Sequence, residues 1–283
     1  MNRKKICWLA AVVAYATTAV AQIEKVNPVI GTDGMGHTFP GACVPFGMIQ
    51  LSPDTDTIPH NVDAYCAGYQ YHDSTIVGFS HTHMSGTGHS DLGDILLMPT
   101  TGALKLNPGT KDCPDAGYRS RFSHETEKAT PGYYEVKLDD YDVKVQLTTT
   151  PRVGIHKYTY PKGTDGRVIL DLNHGIYNYD GKTLWANIRV ENDTLLTGYR
   201  ITNGWARTNY IYFAISFSQP IKNYGYQDFQ KIKYNGWWRK FPVNHNFPEM
   251  GGRKLVSYFE FDTASQPELV IKVALSASST EGA

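Results

Sequence analysis

An excess of charge of either sign is missing from this chain. Its 283 residues hold 27 Lys and Arg against 27 Asp and Glu, so no net field draws in nucleic acid or an anionic membrane surface. A neutral ligand fits that balance. Cysteine is scarce: of the 4 present, Cys7 sits in an apolar leader and only Cys43, Cys66 and Cys113 come after it. Three thiols form at most one internal disulfide, which excludes a disulfide framework and leaves at least one thiol free or paired outside the chain. Beyond the leader no apolar run approaches the ~20 residues needed to cross a membrane as a helix. Long amphipathic helical patterns, repeats, low-complexity tracts and charge blocks are absent. So are a phosphate-binding glycine loop, a Ser-His-Asp arrangement and a basic patch interleaved with aromatics.

Asn2-Arg3-Lys4-Lys5 precedes an apolar run from Ile6 to Val20 that closes on Ala19-Val20-Ala21. A basic start, a short apolar middle and an Ala-x-Ala end make residues 1–21 a secretory signal, with cleavage expected after Ala21. Cys7 lies too early to carry a lipid at the cut. The mature chain is therefore expected in an exported setting, periplasmic or secreted, with no membrane span.

From Tyr133 onward the pattern is strand after strand. Tyr133 to Leu138, Val143 to Thr149, Gly154 to Tyr160 and Val168 to Leu172 are runs of Val, Ile, Leu, Tyr and Thr, parted by turns such as Pro161-Lys162-Gly163. Leu184 to Val190, Leu195 to Thr202, Tyr210 to Phe217, Leu255 to Phe261 and Leu269 to Ala277 continue the series. Strands this close together without helices between them predict an all-β antiparallel sandwich or barrel. Residues 27 to about 101 differ, because Gly and Pro interrupt them every few residues; they read as loop-rich, and long ordered loops on a β scaffold usually carry function. One β domain, 22–277, accounts for the chain after the signal. Ser278 to Ala283 resembles a helix start, with Ser279 or Thr280 as cap and Glu281 offsetting the dipole.

Aromatics make up 12%, with 19 Tyr and 5 Trp. Amphipathic rings suit ligands with both C–H faces and hydroxyls, of which sugars are one kind, although tyrosine is also frequent in strands for packing alone. The densest polar stretch is Gly78-Phe79-Ser80-His81-Thr82-His83-Met84-Ser85-Gly86-Thr87-Gly88-His89-Ser90-Asp91-Leu92-Gly93-Asp94. Imidazole and carboxylate are common metal ligands, so it raises a zinc or iron site. The rival class would be a metal-dependent hydrolase using His81 and His83 to activate water. That fold alternates strands and helices, which this sequence does not.

Longer motifs decide between the readings. Val26-Asn27-Pro28-Val29-Ile30-Gly31-Thr32, Gly36-His37-Thr38-Phe39-Pro40-Gly41-Ala42, and Val44-Pro45-Phe46-Gly47-Met48-Ile49-Gln50-Leu51-Ser52-Pro53-Asp54 resemble, in that order, the N-terminal domain of glycoside hydrolase family 92. Cys66-Ala67-Gly68-Tyr69, the histidine stretch, Leu170-Asp171-Leu172 and Ser279-Thr280-Glu281-Gly282-Ala283 extend the resemblance. It implies a galactose-mutarotase-like super-β-sandwich that in exo-acting, calcium-dependent α-mannosidases precedes an (α/α)6 helical barrel. The barrel carries the general acid and base of an inverting reaction, so no catalytic residue is expected in this chain and 278–283 would begin the link to the missing domain. Calcium is implied for the complete enzyme, with no ligand to a metal assigned here. Asp63-Ala64-Tyr65 stands where many similar chains have tryptophan, which leaves the linkage preference open.

On this reading the histidine stretch faces a mannoside cleft completed by the helical domain. His37, Asp33, Tyr65, His81, His83 and Ser85 are the candidate substrate-binding residues. His81, His83 and Ser85 alternate along an extended segment and so share a face. Internal scaffolding remains open for both histidines, and backbone capping for Asp33. His124, His156, His174 and His245 read as isolated residues of turns and strands, and Trp237-Trp238 as one core ring beside one surface ring. A stand-alone carbohydrate-binding module is the alternative function.

Overall fold

A computed structural model describes residues 23–56, 66–86, 91–229 and 247–283. The signal segment 1–21, Tyr65, His89, Trp237, Trp238 and His245 lie outside the described residues. The first strands are β1 (Ala42–Cys43), β2 (Gln50–Asp54), β3 (Thr75–Ile76), β4 (Gly78–Ser80), β5 (Leu96–Thr101) and β6 (Ser120–Arg121). Then come β7 (Lys128–Thr130), β8 (Tyr133–Leu138), β9 (Val143–Thr149), β10 (Val153–Thr159), β11 (Gly166–Asp171) and β12 (Thr183–Asn192). The last are β13 (Leu195–Thr202), β14 (Asn209–Phe217), β15 (Asn223–Asp228), β16 (Glu249–Gly252), β17 (Leu255–Phe261) and β18 (Glu268–Ser276).

They form a 7-stranded sheet, β1-β2-β4-β5-β11-β17-β15, a 9-stranded sheet, β16-β12-β13-β14-β18-β10-β9-β8-β7, and a small β3-β6 pair. The pairings are antiparallel. This is the antiparallel β-sandwich expected from the sequence. In the 9-stranded sheet apolar and polar residues alternate, because one face packs inward and one meets solvent. Val143, Val145 and Leu147 of β9 are buried while Lys144 and Thr148 are exposed. The two layers meet through rings such as Phe217 of β14, whose centroid lies 6.0 Å from that of Phe259 and 4.9 Å from that of Phe261 on β17.

The stretch read as loop-rich supplies four strands of the 7-stranded sheet: β1, β2, β4 and β5. Pro53 in β2 and Pro99 in β5 hide them, since proline argues against a central strand. β5 is buried through its first five residues, so it shows a continuous apolar run in place of alternation. No disulfide joins Cys43, Cys66 and Cys113. Among the described residues no helix is long and apolar enough to cross a membrane.

Candidate functional site

The histidine stretch leaves β4 and turns back into β5. His81 is fully buried, and its Nδ1 faces the Ile95 carbonyl at 2.5 Å while its Nε2 lies 2.9 Å from Nε2 of His156 on β10. Tyr158 Oη is 2.8 Å from His156 Nδ1. One proton arrangement satisfies every group: Tyr158 donates to His156, His156 donates to His81, and His81 donates to Ile95. Both rings are then neutral. Burial drives His81 down to about 4, outweighing the Ile95 hydrogen bond that favours the charged form, and burial also drives His156 well below its ordinary range. The relay joins the two sheets through the core, and Gly154 makes room for it, because a Cβ there would lie 2.8 Å from the His81 ring.

Stability should therefore depend on pH. Between pH 6.5 and about 4 the unfolded chain protonates His81 and the folded chain does not, so stability falls as pH drops through that window. A shift of this size is worth on the order of 3 kcal/mol. Denaturant titrations at pH 7, 5.5 and 4 should show the decline; a flat profile would refute the neutral relay.

His83 belongs to a different network. Its Nδ1 faces the Gln50 carbonyl at 2.8 Å, and its Nε2 faces Asp54 Oδ1 at 2.8 Å. His174 Nε2 holds the other oxygen, Asp54 Oδ2, at 3.0 Å. Burial opposes the Asp54 carboxylate, but the two histidines beside it win and hold its carboxyl well below the usual range. Gly68 has φ 84°, and a Cβ there would lie 2.3 Å from Asp54 Oδ1, so glycine admits the carboxylate on both counts. Asp171 at the end of β11 accepts the backbone N–H groups of Asn173 and His174, and the Tyr118 hydroxyl at 2.6 Å. It thereby sets the turn that carries His174.

The end of the stretch is clamped twice. Lys182 Nζ donates to Asp91 Oδ1, and Arg200 Nη1 donates to Asp94 Oδ1 at 3.2 Å, with both basic side chains buried. Thr82 Oγ1 donates to Asp94 Oδ2 at 2.8 Å. Between and after the clamps Leu92, Gly93 and Ile95 have φ 71°, 81° and 57°. Left-handed backbone at a β-branched residue is an outlier that persists only where its surroundings over-determine it.

Of the remaining candidates, Asp33 and Ser85 are exposed and His37 is half-buried, while Tyr65 lies outside the described residues. Asp33 caps Gly34 N–H at 2.9 Å and meets His72 Nδ1 at 2.5 Å. His37 has φ 54°, and its buried Nε2 has no hydrogen-bond partner among the described residues. Gly86 N–H donates to the His37 carbonyl at 2.8 Å, joining that loop to the histidine stretch, where Ser85 is exposed. The chain does not stay extended beyond β4, so His81, His83 and Ser85 do not share a face. Two rings turn into separate buried networks and the serine meets solvent. His156 and His174, which look isolated in sequence, are partners of that stretch across 75 residues and, through Asp54, 120 residues. His124 is also engaged, with Nδ1 2.6 Å from Glu127 Oε2. No spacing signal in the sequence joins such distant positions.

Among the described residues no group of three or more His, Cys, Asp and Glu is arranged to hold a metal ion. The ring nitrogens of His81 and both His83 nitrogens are occupied. The carboxylates of Asp54, Asp91, Asp94 and Asp171 are each committed to donors. Calcium needs several converging oxygens, and these residues do not fit it.

Residues 25–276 match the profile of the glycosyl hydrolase family 92 N-terminal domain. The chain belongs to glycosyl hydrolase family 92. A family GH92 alpha-mannosidase of Bacteroides thetaiotaomicron, solved in complex with mannoimidazole, is 41% identical over 92% of this chain, with a TM-score of 0.81. A family GH92 inverting mannosidase of Bacteroides thetaiotaomicron VPI-5482 is 27% identical over 92% of this chain, with a TM-score of 0.70. An uncharacterized secreted glycosidase of Arthroderma benhamiae is 30% identical over 148 residues, 49% of this chain. The chain spans 33% and 32% of the two solved proteins and 17% of the fungal one. Within the family 92 N-terminal domain, then, the described parts of the histidine stretch are built into the sandwich by buried polar networks; the Gly86–His37 hydrogen bond ties the loop at 31–38 to it, Asp54 between His83 and His174 ties the loop at 173–179, and the Trp205 backbone N–H on Asp91 Oδ2 ties the turn at 203–206.

Proposed function

We propose that this chain is the N-terminal domain of an exported, exo-acting α-mannosidase that inverts configuration, and that it shapes one wall of the mannoside cleft. The general acid and base lie outside residues 1–283, on a helical domain that packs against this end of the sandwich. Residues 1–21 are the export signal, 22–277 the domain and 278–283 the start of the link to the helical domain. Calcium serves the complete enzyme through ligands outside the described residues. The observation that carries this reading is the match over 92% of the chain to a solved family GH92 alpha-mannosidase at 41% identity. The engaged carboxylates support it, since inversion needs two free ones about 6.5–9.5 Å apart with water between them.

Within the cleft His37, Asp33, Ser85 and Tyr65 face the sugar, while His81 and His83 hold the loops that present them. His37 is the strongest of these: none of the described residues pairs with its buried Nε2, and a polar atom left in that state calls for a partner, which a shift of the His37 loop on binding would let a sugar hydroxyl supply.

Residues 22–283 alone should release no mannose from α-mannosides, while the complete enzyme should release it with inverted anomeric configuration, followed by NMR. Turnover by 22–283 near the rate of the complete enzyme would overturn the assignment. Mannoside binding by 22–283, with no longer gene product showing turnover, would instead favour a stand-alone carbohydrate-binding module. In the complete enzyme His37→Ala should lower kcat/KM about tenfold, the effect of losing one positioned hydrogen bond, with the melting temperature unchanged.

A further inference from the structure

Besides Gly86, the turn at 70–73 fastens the loop that carries Asp33 and His37. The loop closes on itself through Gly36 N–H to the Asp33 carbonyl at 3.1 Å and Thr38 N–H to the Gly31 carbonyl at 3.2 Å, so residues 31–38 shift together. Tyr71 N–H donates to the Thr32 carbonyl at 2.9 Å, Gln70 Nε2 donates to the Gly34 carbonyl at 3.4 Å, and His72 Nδ1 faces Asp33 Oδ1 at 2.5 Å. The His72–Asp33 pair stands in solvent on both sides and holds little. The backbone bond of Tyr71 is the firm contact.

Tyr71 is set by His124, in the turn between β6 and β7. The two rings stack with centroids 4.0 Å apart and planes 9° from parallel, and Phe122 meets the His124 ring edge-on at 5.2 Å. His124 Nε2 donates to the Tyr71 carbonyl, and its Nδ1 faces Glu127 Oε2 at 2.6 Å. A carbonyl and a carboxylate both accept, so one hydrogen lies on Nε2 and one between Nδ1 and Oε2. Glu127 is itself fixed: its side chain is 4% exposed and accepts the hydroxyls of the buried Tyr69 at 2.9 Å and Tyr134 at 2.6 Å. Burial, and after it the Glu127 charge, push both phenols far above their ordinary range, so each keeps the proton it donates. The His124 ring is thus held by a partner on each nitrogen, a stacked face and a packed edge.

We infer that His124, braced by Glu127, is a positioning residue for the 31–38 loop: through Tyr71 it sets where Asp33 and His37 stand toward the sugar. The inference rests on the mannosidase reading for its ligand and for placing Asp33 and His37 in the cleft. His124 fixes the Tyr71 carbonyl and ring, and the N–H of the same residue holds Thr32, so the path from the buried carboxylate to the loop runs through one residue. Such placement matters to turnover, because moving a positioned group by about 1 Å can cost about a hundredfold in rate.

In the complete enzyme His124→Ala should speed amide exchange at 32–38 while β9 and β14 stay protected. It should also lower kcat/KM for methyl α-mannoside about tenfold, as expected of His37→Ala. Because both changes act through one loop, their losses should not multiply: the double variant should lose about tenfold, where independent sites would lose about a hundredfold. His124→Gln, whose amide nitrogen still donates to the Tyr71 carbonyl, should recover part of the loss. His124→Phe keeps the stack without either N–H, and gives the same readouts if the alanine variant does not fold. Losses that multiply, or exchange at 32–38 no faster than in the natural enzyme, overturn the positioning role whatever the activity. Faster exchange at 32–38, in an enzyme whose natural form turns over no α-mannoside, supports the positioning role and sinks the mannosidase reading.

Discussion

Asp54→Ala should destabilise the domain by about 3–5 kcal/mol, the cost of removing one partner from a buried charge network. Asp54 is fully buried, and its two oxygens hold His83 at 2.8 Å and His174 at 3.0 Å. Alanine would leave two buried imidazoles aimed at an empty space. Asp54→Asn keeps the shape and should lose less, since its amide oxygen still accepts one hydrogen bond. The acid dependence supplies a second readout. The folded Asp54 carboxyl titrates below its ordinary range, so its contribution is complete above about pH 4 and is lost as pH falls further. Urea midpoints at constant slope should therefore show a steeper acid decline in the natural protein than in Asp54→Asn. A loss under about 1 kcal/mol for Asp54→Ala would mean that the histidines find other partners and that Asp54 is not the centre of this network.

Arg200→Ala should cost a similar amount, about 3–5 kcal/mol. Arg200 is wholly inside the protein and its guanidinium donates to Asp94 Oδ1 at 3.2 Å, Thr183 Oγ1 at 3.1 Å and the Gly93 carbonyl at 3.4 Å. Burial lowers its proton affinity, partly countered by the Asp94 charge. Truncation strands Asp94 as a buried charge and removes the donor that holds the left-handed backbone at Gly93. Arg200→Lys retains the charge but not the planar fork, and should recover only part of the loss. Equal unfolding free energies for Arg200→Ala and the natural protein would sink the clamp. Beyond stability, the strained segment from Leu92 to Ile95 should relax in Arg200→Ala, so amide exchange there should rise more than in β9 or β14.

Most of the fold is legible in the sequence alone, for a physical reason that depends on the layer. Strands of the 9-stranded sheet have one wet face, so alternation marks them, and β8, β9 and β13 begin and end where their apolar periodicity does. The shorter strands of the other sheet are covered on both faces and carry Pro53 and Pro99, so β2 and β5 read as loops. β15 and β16 escape the pattern as well, since Tyr224-Gly225-Tyr226 and Met250-Gly251-Gly252 carry glycines where a strand pattern needs side chains. Motif order carries the family, because several glycine-punctuated segments in fixed sequence are far more specific than a single His-x-His.

What each histidine does is decided only by the folded chain. Residue type and spacing leave an imidazole equally able to hold a metal, meet a sugar or close a buried hydrogen-bond chain. His81 and His83 are two residues apart, yet one meets His156 in the opposite sheet and the other meets Asp54 beneath the loops. The backbone leaves its extended path after Ser80, and partners 75 and 29 residues away come into reach. Local sequence sets what a side chain can do; the crossing of two sheets sets which of those possibilities has a partner within about 3 Å.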